Sequence, residues 1–163
     1  MFSDEILQSA ERVLAQCRRA GLKIATAESC TGGLIAASLT AIAGSSDVVD
    51  RGFVTYTNEA KQQMLGVPAP LFGTVGAVSE EVARAMAEGA IRNSDSDLSV
   101  SVTGVAGPGG GSADKPVGLV HMAVARKGKP TRHQRHLFTG DRTAVRTATV
   151  VAGLSLINKM LDD

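Results

Sequence analysis

Apolar positions recur at helical spacing near the start of the chain, where Ile6, Leu7, Ala10, Val13, Leu14 and Cys17 form one stripe. Ser3 is placed to cap this segment, Asp4 and Glu5 fill its first turn and Gly21 lies just past its end, so a helix is expected over residues 4–20. A short strand follows over Lys23–Ala27. After Glu28-Ser29-Cys30-Thr31-Gly32-Gly33, an Ala/Leu/Ile stretch predicts a helix to about Ala43. Arg51–Thr57 predicts a second strand, and Asn58–Leu65 a short helix ended by Gly66 and Pro68. Pro68–Val78 reads as a loop. Ser79-Glu80-Glu81 opens a helix to about Asn93, and Leu98–Thr103 is a third strand. Val117–Ala125 is apolar on both faces, which suits a central strand. Lys127-Gly128-Lys129-Pro130 turns the chain into Thr131–Phe138, an alternating, charged strand expected nearer a sheet edge in an antiparallel hairpin. A long last helix runs from Arg142 to about Leu161. Helices alternating with strands, then a hairpin, predict an α/β fold with a mixed, mostly parallel sheet covered by helices on both faces. Ligands in such folds sit at strand-to-helix turns. Three distinctive segments fall there: Glu28–Gly33, Tyr56–Lys61 and Gly104–Ser112.

Composition narrows the classes of function. The 163 residues show no internal repeat and no linker, so a single domain is expected over 1–163. Lys and Arg number 17 against 16 Asp and Glu, a net charge of +1, and aromatics are 3% with no Trp. Nucleic acid, which asks for a basic face and stacking platforms, is therefore not an expected partner. Two cysteines make no disulfide framework. The first residues lack the apolar core of a secretion signal, and no apolar run approaches ~18 residues. A cytoplasmic protein without membrane contact is expected.

The candidate chemistry lies in the three turns. Ser29, between a strand and a helix, is either the N-cap of that helix or a nucleophile at its N-terminus. In the second role, unpaired backbone N–H groups stabilise an oxyanion, and Gly32 and Gly33 let substrate approach the backbone. The segment is not a Gly-x-Ser-x-Gly elbow, because Ala27 and Thr31 occupy the glycine positions. Cys30 is either a small buried residue or the rival nucleophile. No His lies near these loops in sequence, so the base for Ser29 is sought in Lys61, one turn into its helix, and in Tyr56 at a strand end. Ser112-Ala113-Asp114-Lys115 fits Ser-x-x-Lys but lacks that signature's partner motifs.

Gly104-Val105-Ala106-Gly107-Pro108-Gly109-Gly110-Gly111-Ser112 is neither a Walker loop nor Gly-x-Gly-x-x-Gly. Its glycines follow a buried strand, which suggests close backbone approach to a ligand and N–H groups arranged for an anion. Arg142 and Arg146 lie four apart on one helix face, near its positive end, where a cation suits an anion-binding role better than it suits the helix. His121 is expected as a packed core residue, and His133 and His136 face opposite sides of a strand. No cluster has metal-ligand spacing, so no metal is expected.

Thr26-Ala27-Glu28-Ser29-Cys30-Thr31-Gly32-Gly33, Tyr56-Thr57-Asn58-Glu59-Ala60-Lys61 with Leu65-Gly66-Val67, Thr103-Gly104-Val105-Ala106-Gly107-Pro108-Gly109-Gly110 and Gly140-Asp141-Arg142 together resemble the CinA C-terminal domain family of competence-damage proteins. The resemblance runs in sequence order over nearly the whole chain. It implies a three-layer α/β/α sandwich, a homo-oligomer, and deamidation of nicotinamide mononucleotide to nicotinate mononucleotide and ammonia, with no cofactor. Ser29 would be the nucleophile, Lys61 and Tyr56 would manage its proton, and an acyl-enzyme would be cleaved by water. Glu28, Cys30, Thr31, Gly32, Gly33, Thr103, Gly104, Gly107, Gly109, Gly110 and Arg142 would bind the nucleotide substrate. Many family members carry a large N-terminal domain. This sequence looks like the stand-alone form, so chemistry of that domain, such as ADP-ribose cleavage, is not expected of it. Two other readings stand beside this one: a noncatalytic nucleotide-binding module, and an amidohydrolase for another small amide.

Overall fold

The computed structural model describes residues 1–163. Its elements run α1 (Asp4–Ala20), β1 (Ile24–Glu28), α2 (Leu34–Thr40), β2 (Val49–Val54), α3 (Asn58–Leu65), α4 (Pro70–Thr74), α5 (Glu80–Arg92), β3 (Leu98–Gly104), β4 (Leu119–Arg126), β5 (Lys129–Leu137) and α6 (Arg142–Asp162). Local chemistry sets most of these boundaries. Ser3 accepts from the Ile6 amide, Thr57 from Ala60, Ser79 from Val82 and Asp141 from Ala144, each satisfying an otherwise orphaned helix donor. Gly21 closes α1 in the left-handed conformation while the Leu22 amide reaches back to the Cys17 carbonyl. Several boundaries differ from expectation: β2 spans Val49–Val54 rather than 51–57, which leaves Tyr56 beyond the strand, and β5 begins at Lys129, inside the expected turn. α4 occupies part of the segment read as a loop, because Pro70 at the helix start has the right φ and no donor to waste. α2 is shorter than expected, ending at Thr40 and giving way to a 3-10 turn at Ser45–Asp47.

The five strands form one sheet in the order β2-β1-β3-β4-β5. β1 pairs in parallel with β2 and β3, while β4 is antiparallel to both β3 and β5. Four strands therefore share one direction and β4 runs against them, with β5 at the edge as the hairpin pattern required. Helices α1, α2 and α6 cover one face, where Leu98, Val100 and Val102 of β3 enter the larger core. Helices α3 and α5 cover the other. There β3 presents Ser99, Ser101 and Thr103, whose hydroxyls donate to the carbonyls of Ala87 (2.5 Å), Ala83 (2.5 Å) and Ala77 (2.9 Å). Small residues bring α5 close to the sheet. Ala83 and Ala87 of the helix meet Ala123 and Ala125 of β4. Helix α3 lies equally close to α5 at Gly89, where a Cβ would stand 2.0 Å from the Leu65 carbonyl oxygen.

This topology creates the site. From β1 the chain crosses through α2 to β2 on one side, and from β2 through α3, α4 and α5 to β3 on the other side. The turns after β1 and β3 diverge, leaving a crevice at the carboxyl ends of two adjacent strands. Ser29 follows β1 and Gly104 ends β3.

His121 is not the packed core residue expected. It is half-buried on the α5 side, its Nδ1 2.8 Å from Nε2 of His133 and the two rings stacked at 5.1 Å. The residues are diagonal neighbours across the hairpin, since His121 pairs with Arg135 and Ala123 with His133. Burial, followed by the His133, Arg135 and Lys115 charges and opposed by Glu80, pushes His121 down from 6.5 to about 4. In the window between those values the unfolded chain holds the extra proton, so stability falls as pH falls from 6.5 towards 4. Urea denaturation should show lower stability at pH 4.5 than at pH 7, with part of that loss attributable to this group. His121→Gln should remove that part of the loss, and an unchanged pH dependence in the variant would count against this assignment.

Candidate active site

The turn after β1 carries the first group of polar contacts. The Glu28 side chain is fully buried and points into the start of α2. Its Oε1 accepts from the Thr31 hydroxyl (2.6 Å) and the Ile35 amide (2.8 Å), and its Oε2 from the Ala36 amide (3.0 Å). Glu28 thus does the capping that Ser29 could have done. Ser29 is not the cap: Gly33 occupies that position, in the left-handed conformation and without a side-chain bond. The Ser29 amide continues the sheet ladder to the Val102 carbonyl, and its hydroxyl is left for another partner.

That partner is Lys61. Thr57 starts α3, whose second half packs on α5 through Leu65, and this fixes the direction in which Lys61 leaves the helix. The Lys61 side chain is 1% exposed. Its Nζ lies 3.0 Å from Ser29 Oγ, 2.8 Å from the Thr55 carbonyl and 3.4 Å from the Tyr56 carbonyl. No carboxylate pairs with it. Burial lowers its pKa, opposed only by Cys30. With two directions taken by carbonyls that can only accept, the third faces Ser29 Oγ. A neutral amine there accepts the serine proton, and an ammonium there returns it.

Cys30 borders the same crevice but is chemically quiet. Burial pushes its thiol up to about 11, so little thiolate exists at neutral pH. Cys30→Ala should keep most of the activity, and a dead, folded Cys30→Ala protein would point to the wrong neighbour as nucleophile. Cys17 is buried in the large core, pushed up to about 11 by the same cause.

The crevice has a volume of about 300 Å³ and is bordered by Ser29, Cys30, Lys61, Tyr56, Arg142, the segment 103–107, Gly109 and Gly110. Of the candidates named from the sequence, Thr103, Gly104, Gly107, Gly109 and Gly110 line it, whereas Glu28, Thr31, Gly32 and Gly33 do not. The glycines split by cause. A Cβ on Gly104 would stand 2.6 Å from the Val120 side chain, and one on Gly107 2.5 Å from Val117, so these two are required by packing. Gly109 and Gly110 meet nothing closer than 3.9 Å and leave the wall open. The amides of Cys30, Thr31, Ala106, Gly107, Gly109 and Gly110 donate to no backbone carbonyl.

Tyr56 is exposed, and its hydroxyl accepts from Arg142 Nη2 (2.8 Å); only its carbonyl meets Lys61. Arg142 also donates from Nη1 to the Gly107 carbonyl (2.7 Å), which leaves guanidinium donors for an anion. A second cavity of about 470 Å³ adjoins the first through Ala106 and Arg142. Asn58, Ala77 and Val78 also line the crevice and were not among the candidates. Asn58 lies three positions before Lys61 at the start of α3, a spacing that places both on one helix face; Ala77 and Val78 carry no such signal.

The family model of the CinA C-terminal domain matches residues 6–161. The chain belongs to that family. A CinA-like protein of Citrifermentans bemidjiense is 50% identical over 161 residues, covering 99% of this chain and 39% of the relative. A putative competence-damage inducible protein of Caldicellulosiruptor bescii is 50% identical over 142 residues, covering 87% of this chain and 34% of the relative. The chain therefore spans between a third and two fifths of the length of these curated relatives. Among solved structures, the competence/damage inducible protein CihA of Agrobacterium tumefaciens is 49% identical with a TM-score of 0.97, covering 100% of this chain and 99% of that one. A CinA superfamily protein of Klebsiella pneumoniae superposes with a TM-score of 0.92 at 34% identity, over 96% and 98% of the two chains. The three-layer arrangement and its mixed sheet are thus those of the CinA fold. No helix of the chain is long and apolar enough to cross a membrane.

Proposed function

We propose that the chain is a serine amidohydrolase that converts nicotinamide mononucleotide to nicotinate mononucleotide and ammonia. The observation that carries this reading is the buried Lys61 amine, without a carboxylate partner, 3.0 Å from Ser29 Oγ at the floor of an open crevice. Ser29 Oγ attacks the carboxamide carbon and its proton passes to Lys61 Nζ. The Cys30 amide, beside Ser29 on the crevice wall, receives the oxyanion. Lys61 returns the proton to the amide nitrogen, the C–N bond breaks and ammonia leaves. Water then attacks the acyl ester, Lys61 takes its proton, and the same proton restores the Ser29 hydroxyl as the carboxylate product forms.

Substrate choice rests on the other wall. Arg142 offers a planar fork for phosphate, and the open amides of Gly109 and Gly110 lie on the same rim. Tyr56, bonded to Arg142, belongs to this binding wall, and Lys61 alone handles the serine proton. The two adjoining cavities together suit a ligand of nucleotide size. Binding energy gathered there orients the amide over Ser29.

Ammonia release from the mononucleotide, the riboside and free nicotinamide tests the reading. The mononucleotide should be the best substrate and free nicotinamide very poor. Arg142→Ala should hurt the mononucleotide selectively and narrow its advantage over the riboside. Equal kcat/KM for riboside and mononucleotide would remove the phosphate role, and binding without any ammonia release would make the chain a noncatalytic nucleotide-binding module.

A further inference from the structure

α6 approaches the catalytic turn through a second arginine. Arg146 lies one helical turn beyond Arg142, half-buried. It donates from Nε to the Cys30 carbonyl and from Nη2 to the Thr31 carbonyl, both at 3.1 Å. It makes no ion pair. A planar fork is thus set on two successive carbonyls of the turn that follows the nucleophile, with no carboxylate to neutralise it.

The consequence follows from peptide geometry. A carbonyl and the next residue's N–H share one rigid plane and point in opposite directions. Holding the Cys30 carbonyl therefore fixes the Thr31 N–H. Holding the Thr31 carbonyl fixes the Gly32 N–H, which donates to the Ser29 carbonyl at 3.0 Å. That bond in turn sets the plane carrying the Cys30 N–H. The Cys30 amide beside Ser29 is thereby aimed by this guanidinium together with the Leu34 amide, which also donates to the Thr31 carbonyl at 3.2 Å. The charge also polarises these peptides, and a carbonyl that accepts a charged donor makes its N–H a stronger donor.

We propose that Arg146 is a positioning residue for this reaction, orienting and polarising the Cys30 amide that receives the oxyanion. This rests on the serine reading above, though not on the identity of the amide substrate. The Glu28 carboxylate holds the same turn, so the turn survives loss of Arg146 as a fold element while the Cys30 amide loses its aim.

Arg146→Lys keeps a positive charge but cannot span two carbonyls, and Arg146→Ala leaves space for free guanidinium. Two readouts are measured on wild type and both variants, with circular dichroism establishing that each is folded. In ammonia release, Arg146→Lys should lower kcat about 10-fold or more with KM little changed, the pattern of a lost transition-state interaction. Added guanidinium should restore part of the kcat of Arg146→Ala. The second readout is the rate at which a small alkyl fluorophosphonate labels Ser29. That reaction also builds negative charge on oxygen but needs no nucleotide, and it should slow by a similar factor. Unchanged kcat and unchanged labelling in a folded variant would overturn the proposal, as would a rise in KM alone, which would make Arg146 a substrate contact. If the wild type released no ammonia from any amide yet labelled at Ser29 faster than Arg146→Lys, the substrate reading would fall and the role of Arg146 would stand.

Discussion

Ser29→Ala is expected to abolish ammonia release from nicotinamide mononucleotide, by at least ~10³-fold, while the protein stays folded. The size of the effect follows from what the side chain does. Its hydroxyl is engaged only with Lys61, and its amide, which continues the sheet ladder to Val102, is untouched by the change. Removing Oγ therefore removes the attacking atom and little else. The thiol next to it cannot substitute, since it is buried and held up at about 11. A coupled ammonia assay on both proteins checks this. A Ser29→Ala variant with appreciable activity would remove the covalent step from the mechanism.

Lys61→Met should lower kcat by about 10²–10⁴-fold with little change in KM, the range for loss of a general base. Met keeps most of the buried stem, so the comparison isolates the amine. The pH profile carries the second half of this prediction. Lys61 must be neutral to take the serine proton, so kcat rises with pH as the amine deprotonates. Because burial lowers its pKa, this rise should come at lower pH than for an exposed lysine with its ordinary value of 10.5. The rising limb should disappear in Lys61→Met. A variant with full kcat and raised KM would make Lys61 a substrate contact.

The sequence was informative wherever the deciding interaction is local. Ser3, Thr57, Ser79 and Asp141 each sit three residues before the amide they cap, and the four long helices begin where these residues stand. The alternation of β5 and the two-sided burial of β4 also follow from short windows of sequence. The pairing of β1 with both β2 and β3 is a long-range fact, reached only through the order of helices and strands. At the site, Ser29 and Lys61 are 32 residues apart, and spacing alone could not choose between a cap and a nucleophile. The choice turned on Glu28, whose carboxylate reaches past Ser29 to the α2 amides. The histidines show the same limit, because His121 meets a partner 12 residues away across the hairpin rather than the core. Arg146 contacts residues about 115 positions earlier, so only the fold reveals that it meets the turn after Ser29.

The proposed acyl-enzyme on Ser29 is tested most directly by rapid acid quenching during turnover of nicotinamide mononucleotide, followed by mass analysis of the digested protein. The predicted result is the nicotinate mononucleotide acyl mass on the peptide that contains Ser29, carried by the serine and absent from Ser29→Ala. An acyl mass on Cys30, or ammonia released during the same interval with no adduct on the protein, would contradict it.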